Sequence, residues 1–226
     1  MAEELGKIEK PPVENFRTGR KLYFIPLIFQ LEESPEEYLE KCNRYWEQVE
    51  RQILELESKL GVVKRVYHEL VAASGDDGSR TVEELNKGSH KIVKLCLEKD
   101  ARLEAVEDAD VFTEFMDWNR CLLVGLQNPG VAAKVYESYI EAGKKRNESI
   151  ARRIDETLQS DEIGIIFMRE NHQVQFPSDI QVFYVAPPAL DEIKRWSRER
   201  ERQQPQEEAK EAKDEKKTRS KKKTKE

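Results

Sequence analysis

The sequence is poor in the residues that most enzyme motifs require. Three histidines and three cysteines are present among 226 residues, and there is no GxxxxGK[ST] phosphate loop, no GxGxxG, no GxSxG and no HExxH. Nucleotide hydrolysis, dinucleotide binding and zincin chemistry therefore lose their usual sequence basis, and no nucleotide cofactor is expected. Cys42, Cys96 and Cys121 are odd in number and far apart, with no CxxC pair. That spacing excludes a disulfide framework and a cysteine-based zinc site, and fits reduced thiols. No apolar run approaches the roughly 20 residues needed to cross a bilayer. The N-terminal MAEELGKIEK opens with acids and holds no signal-peptide core, so a cytoplasmic location is expected.

Charge, by contrast, is abundant and unevenly placed. The net charge is −6. Residues 197–226 carry 12 Lys/Arg against 8 Asp/Glu, or +4, which leaves −10 on the remainder. An acidic body argues against nucleic acid on the folded surface, because phosphate binding needs clustered cations. From Lys216 to Lys225 seven residues in ten are basic and none is acidic, a density that permits weak nucleic-acid contact through 216–225. Beyond residue 197 nearly all aliphatic bulk is lost, and a segment that cannot bury apolar surface is expected to be a disordered tail. The organisation expected is a flexible arm over 1–20, one α/β domain over 21–196 and the charged tail over 197–226.

Hydrophobic periodicity gives the elements. Residues 22–29, LYFIPLIF, form a continuous apolar run of strand length, as for a strand covered on both faces, although Pro26 favours an edge or bulge. Ser34-Pro35-Glu36-Glu37 is a helix start, with serine as cap and proline at the first helical position. Tyr38, Cys42, Tyr45, Val49, Ile53, Leu56 and Leu60 then recur at helical spacing until Gly61, making a long coiled-coil-like helix that offers a protein partner a surface over 35–60. A β-branched strand at 62–67 completes a βαβ start. A turn is expected at 75–79, helices over 81–97 and 101–118, and a third long helix from the Asn128-Pro129 cap. Buried-type strands follow at 162–168 and 180–185, then a final helix from Pro187-Pro188. Strands at both ends around a helical middle predict an α/β fold with one central, mainly parallel sheet, long helices on its faces and a helical insert.

Two histidines stand just past predicted strands, where open α/β sheets place their ligands. They are His68, followed by Glu69, and His172, two residues after Glu170. A carboxylate beside an imidazole can fix its tautomer and tune it for proton transfer. Arg146 shares the apolar stripe of the third long helix with Tyr139, Ile150 and Ile154, so it points inward, toward a carboxylate partner or an anionic ligand. The acids Glu104, Glu107, Asp108, Asp110, Glu114 and Asp117 scatter around a helix axis and read as a solvated face.

With these residues placed, the chain resembles the TraB/GumN-like proteins and, more remotely, the erythromycin-esterase-like and ChaN-like proteins. Tyr67-His68-Glu69-Leu70 stands where that family has Val-x-Glu-Leu after its second strand. Arg146-Asn147 matches its Arg-Asn on a late helix, and Arg169-Glu170-Asn171-His172 its Gly-x-x-His after the next strand. The first family signature, Gly-Thr-x-His, is missing: Pro26 to Gln30 holds no histidine, and Arg169 replaces the glycine of the last. The resemblance implies a hydrolase or a descendant that has lost activity. His172 would be the general base, Glu69 would orient it or hold a divalent metal, and Arg146 would neutralise developing negative charge. A metal, where one is used, would be held by Glu69, His68 and His172. The other function classes open to the sequence are a protein-interaction module and an RNA- or ribosome-associated factor using the basic tail.

Overall fold

A computed structural model describes residues 18–30, 34–200 and 202. Most of the expected N-terminal arm and nearly all of the charged tail, including 216–225, lie outside the described residues. Five strands, β1 (Lys21–Pro26), β2 (Arg65–His68), β3 (Arg102–Glu104), β4 (Ile163–Met168) and β5 (Gln181–Tyr184), form one sheet in the order β3-β2-β4-β1-β5. Every pairing is parallel. The helices are α1 (Glu36–Leu60), α2 (Gly75–Leu85), α3 (Lys87–Leu97), α4 (Ala109–Leu123), α5 (Pro129–Thr157) and α6 (188–200). This is an α/β fold with a βαβ start, its sheet assembled from both ends of the chain.

The two strands of that start, β1 and β2, are parallel but not adjacent, because β4 lies between them. All six residues of β1 and of β4 are buried, as their unbroken apolar sequences require. Pro26 nonetheless ends an interior strand. Leu27 donates to Met168 on the β4 side, and Val185 donates to Phe24 on the β5 side. Backbone direction alternates along a parallel strand, so the proline nitrogen faces β5 beyond its last residue, Tyr184, where no ladder bond is lost.

The second half of α5 covers one face. Ile150, Ile154 and Leu158 pack with Leu22, Phe24, Tyr67, Ile166 and Met168 in one buried cluster. Each fully buried aliphatic side chain contributes roughly 1.5–3 kcal/mol. Gly164 sets how closely α5 approaches: a Cβ there would lie 3.1 Å from Leu22 and from Tyr67 and 3.3 Å from Leu158. On the opposite face His68 reaches Ser89 of α3.

The middle of the chain departs from expectation in three places. Residues 75–79 are the first turn of α2 rather than a separate turn. The helix expected over 81–97 is broken at Asn86, whose side chain accepts from the Ser89 amide to cap α3 and donates to the Ile28 carbonyl at 2.6 Å. The helix expected from 101 begins only at Ala109, after β3; Arg102, Leu103 and Glu104 pair with β2 instead. At Asn86 and at β3 a tertiary partner, the Ile28 carbonyl and strand β2, overrides local periodicity.

The described residues group into two compact units, one comprising residues up to 29 with 49–186 and the other 30–48 with those from 187 on. The sheet, α2 to α5 and the site described below belong to the first. In the second, the Tyr38 ring lies 4.9 Å from that of Trp196 and Arg44 bonds Glu192 at 2.9 Å.

Candidate functional site

Sheet topology marks one place for a site. The connection leaving β2 runs outward to β3, whereas that leaving β4 runs the opposite way to β5, so the chain diverges between the carboxyl ends of these neighbouring strands. Such a switch point is where open parallel sheets form ligand crevices. Glu69 follows β2 and Arg169 follows β4. A cavity of about 480 Å³ opens there, lined by both residues, by Arg146 and Asn147 of α5, by His172 and by Phe115 and Met116 of α4.

Side-chain alternation along β2 sends Tyr67 and Glu69 toward α5 and His68 away from it. Glu69 is 3% exposed and its two carboxylate oxygens accept five hydrogen bonds. The Arg169 backbone amide donates at 2.9 Å and its Nη2 at 2.7 Å, while Arg146 Nη2 donates at 3.2 Å. Burial pushes the Glu69 carboxyl up, but the Arg169 hydrogen bonds and the charges of Arg169 and Arg146 outweigh it and hold the group below the usual range. Arg146 is held in turn by Glu107, which accepts from Nε at 3.0 Å and from Nη2, and its guanidinium lies 5.1 Å from the Phe115 ring centre. Two carboxylates and two guanidinia thus form one neutral, hydrogen-bonded group.

Glu107 and Arg169 are the members that sequence reasoning missed. Helical spacing places Glu107 on a solvated face, yet it is 4% exposed. The signal was present in the Asp108 cap, which starts α4 one residue later and so leaves Glu107 in the loop after β3. Leu70, between Glu69 and Val71, adopts φ 71°, and its amide donates to Glu107 at 3.1 Å. Left-handed backbone costs a non-glycine residue roughly 1–2 kcal/mol. The strain is held in place by the carboxylate that also binds Arg146.

The histidines part company. His172 is half-buried at the cavity wall, its ring 4.9 Å from that of Phe24. Burial lowers its pKa, partly offset by the Glu69 charge. Its Nδ1 accepts from the Val174 amide at 3.2 Å, so the neutral ring carries its proton on Nε2. His68 is fully buried on the other face of the sheet, with Nδ1 donating to the Glu69 carbonyl at 2.7 Å and Nε2 bonded to Ser89 Oγ at 3.0 Å. Burial lowers its pKa to about 4 and keeps it neutral. Glu170 is exposed and bonded by the Tyr184 hydroxyl.

The structure therefore brings Glu69, Arg146, Asn147 and His172 to one cavity and excludes His68 from it. The expected metal set of Glu69, His68 and His172 does not form, because both ring nitrogens of His68 are engaged across the sheet and the Glu69 oxygens are taken by arginine. Among the described residues no group of three or more His, Cys, Asp or Glu side chains is placed to hold a metal ion. Of the two partners expected for the inward Arg146, a carboxylate or an anionic ligand, the structure shows the carboxylate, its charge being met by Glu107 and Glu69. No family model, curated protein or solved structure matches the chain.

Proposed function

We propose that this chain is a divergent TraB-like α/β protein whose strand-end cavity binds an anionic small molecule without hydrolysing it. The observation that carries this reading is the consumption of the groups that water activation would need. Glu69 has spent its acceptors on Arg169 and Arg146, and the His172 nitrogen that could take a proton is occupied by the Val174 amide. The convergence of Glu69, Arg146-Asn147 and His172 on one cavity supports the family resemblance. Arg169, standing at the family's glycine position, supports the loss of its chemistry.

What remains at the cavity wall is donor-rich. The Arg169 side chain is 45% exposed although it bonds Glu69, the neutral His172 carries a proton on Nε2, and Lys144 and Asn147 stand on the same wall. Phe115, Met116, Tyr139 and Ile140 supply apolar surface beside these donors. A cavity of this volume suits a small organic ligand with an acidic group and an apolar body.

The test pairs binding with turnover on the purified protein. Thermal shifts are expected with aryl or alkyl carboxylates and phosphate monoesters, to be absent with the corresponding neutral methyl esters, and to shrink in Lys144→Ala and Asn147→Ala. Ester, phosphoester and peptide substrates are expected to remain intact. Hydrolysis that disappears in His172→Ala would overturn the reading, as would equal shifts from the neutral compounds.

A further inference from the structure

The charged groups around the strand-end cavity differ in how far their charge is already met. The Glu69 carboxylate is bonded by Arg169 and Arg146, and that of Glu107 by Arg146. Two guanidinium groups and two carboxylates therefore cancel. Among the described residues that line the cavity, Lys144 is the one remaining formal charge. It meets Glu148 at 3.9 Å between two exposed side chains, beyond hydrogen-bond reach, and Glu148 does not line the cavity. Such a contact is weak in water and leaves the ammonium able to turn to a ligand. His172 adds no charge near neutral pH, because burial holds its pKa below the ordinary 6.5. The cavity thus carries a surplus of one positive charge.

Arg169 supplies the donor on which a negative group can dock. Its Nε and Nη2 are held by Glu69, whereas Nη1 donates to no group among the described residues. The guanidinium is therefore fixed in place while its side chain remains half exposed to the cavity, and a fixed donor loses little freedom on binding. Ile150, Met168 and Val174, all buried, line the same cavity. Apolar walls lower the local dielectric, so each added charge acts more strongly there than in water. One negative charge on a ligand is balanced by the surplus. A second is not: it faces the Glu69 and Glu107 carboxylates with no cation left over, and charge taken out of water without a partner is costly.

We infer that the cavity selects its ligand by charge, taking monoanionic organic acids such as carboxylates and discriminating against the dianion of phosphate monoesters. The inference rests on the anion-binding reading above and narrows it to one class of acid. A carboxylate keeps its single charge at any pH well above about 4. A phosphate monoester, with a second pKa of about 6, is mainly dianionic at neutral pH and mainly monoanionic in mild acid.

The experiment is NMR titration of the full chain with phenylacetate, phenylmethanesulfonate and phenyl phosphate, at about pH 7.5 and about pH 5, on either side of the second phosphate pKa. At the higher pH both monoanions are expected to bind at least tenfold more tightly than the phosphate, and at the lower pH the difference should fall below about threefold. Taking the ratio at each pH separates ligand charge from protonation of His172, which favours all three. Asn119→Lys, at a half-buried neutral position of the α4 wall, adds a second surplus cation. It should tighten phenyl phosphate at least tenfold at the higher pH, so that phosphate and carboxylate bind alike. Lys144→Gln removes the surplus and should weaken both monoanions, with the melting temperature unchanged because the lysine is exposed. Phenyl phosphate that binds as tightly as the monoanions at the higher pH overturns the inference and leaves anion binding standing. A sulfonate that binds as weakly as the phosphate also overturns it, in favour of shape as the criterion. Binding of none of the three overturns both the inference and the reading beneath it.

Discussion

Glu69 and Arg169 lock the ends of two neighbouring parallel strands: one carboxylate accepts both the backbone amide and the guanidinium of the same arginine, at 2.9 and 2.7 Å. Arg169 thereby fills most of the acceptor capacity of Glu69, and its side chain stays half exposed to the cavity. Arg146 closes the arrangement from α5 by joining Glu69 to Glu107.

Arg146→Met is expected to destabilise the protein by about 3–5 kcal/mol, because it leaves Glu107 buried without its counter-charge. Glu107→Gln should cost less, since the amide keeps an acceptor for Leu70 and Arg146 retains Glu69. Urea unfolding of both single variants and the double variant measures the coupling, expected at about 1–3 kcal/mol. Additive effects, or a loss below about 1 kcal/mol for Arg146→Met, would show that the pair contributes little.

Acid should weaken the fold in two stages. His68 keeps a pKa near 4 when folded against 6.5 as a free side chain, so below about pH 6.5 the unfolded chain takes up a proton that the folded chain refuses. Its contribution is complete above that pH and falls away as pH drops toward 4. The lowered pKa of His172 acts in the same direction. Glu69, whose carboxyl is held below 4.5, adds its loss only at still lower pH. In His68→Gln the stability difference between pH 7 and pH 5 should shrink by about 1–2 kcal/mol; an unchanged difference would show that His68 is not held neutral.

Asn86→Ala removes the cap of α3 and a hydrogen bond to the Ile28 carbonyl from a residue that is 7% exposed. A loss of about 1–2 kcal/mol is expected. Asn86→Asp keeps the cap acceptor and loses the donor, so it should fall between the wild type and alanine below neutral pH. Equal stability of Asn86→Ala and wild type would mean that α2 and α3 fuse without cost.

By itself the sequence determined the elements whose signal is local and strong. The unbroken apolar runs gave β1 and β4, the Asn128-Pro129 cap gave the start of α5, and the apolar stripe gave α1, in which Cys42, Tyr45, Val49 and Ile53 are buried and Tyr38, Leu56 and Leu60 half-buried. It also placed Glu69, Arg146 and His172 as polar residues at strand ends or on an inward helix face. Tertiary structure decided everything that depends on which side of a strand a neighbour takes. The His68 and Glu69 side chains are adjacent in the chain but face opposite layers, so the imidazole and the carboxylate do not share one site. It also decided the break at Asn86, the short strand β3 and the burial of Glu107, because each is specified by a partner distant in sequence: Ile28, β2 and Arg146. Local periodicity holds no information about such partners, and a buried charge is stable only where the fold supplies one.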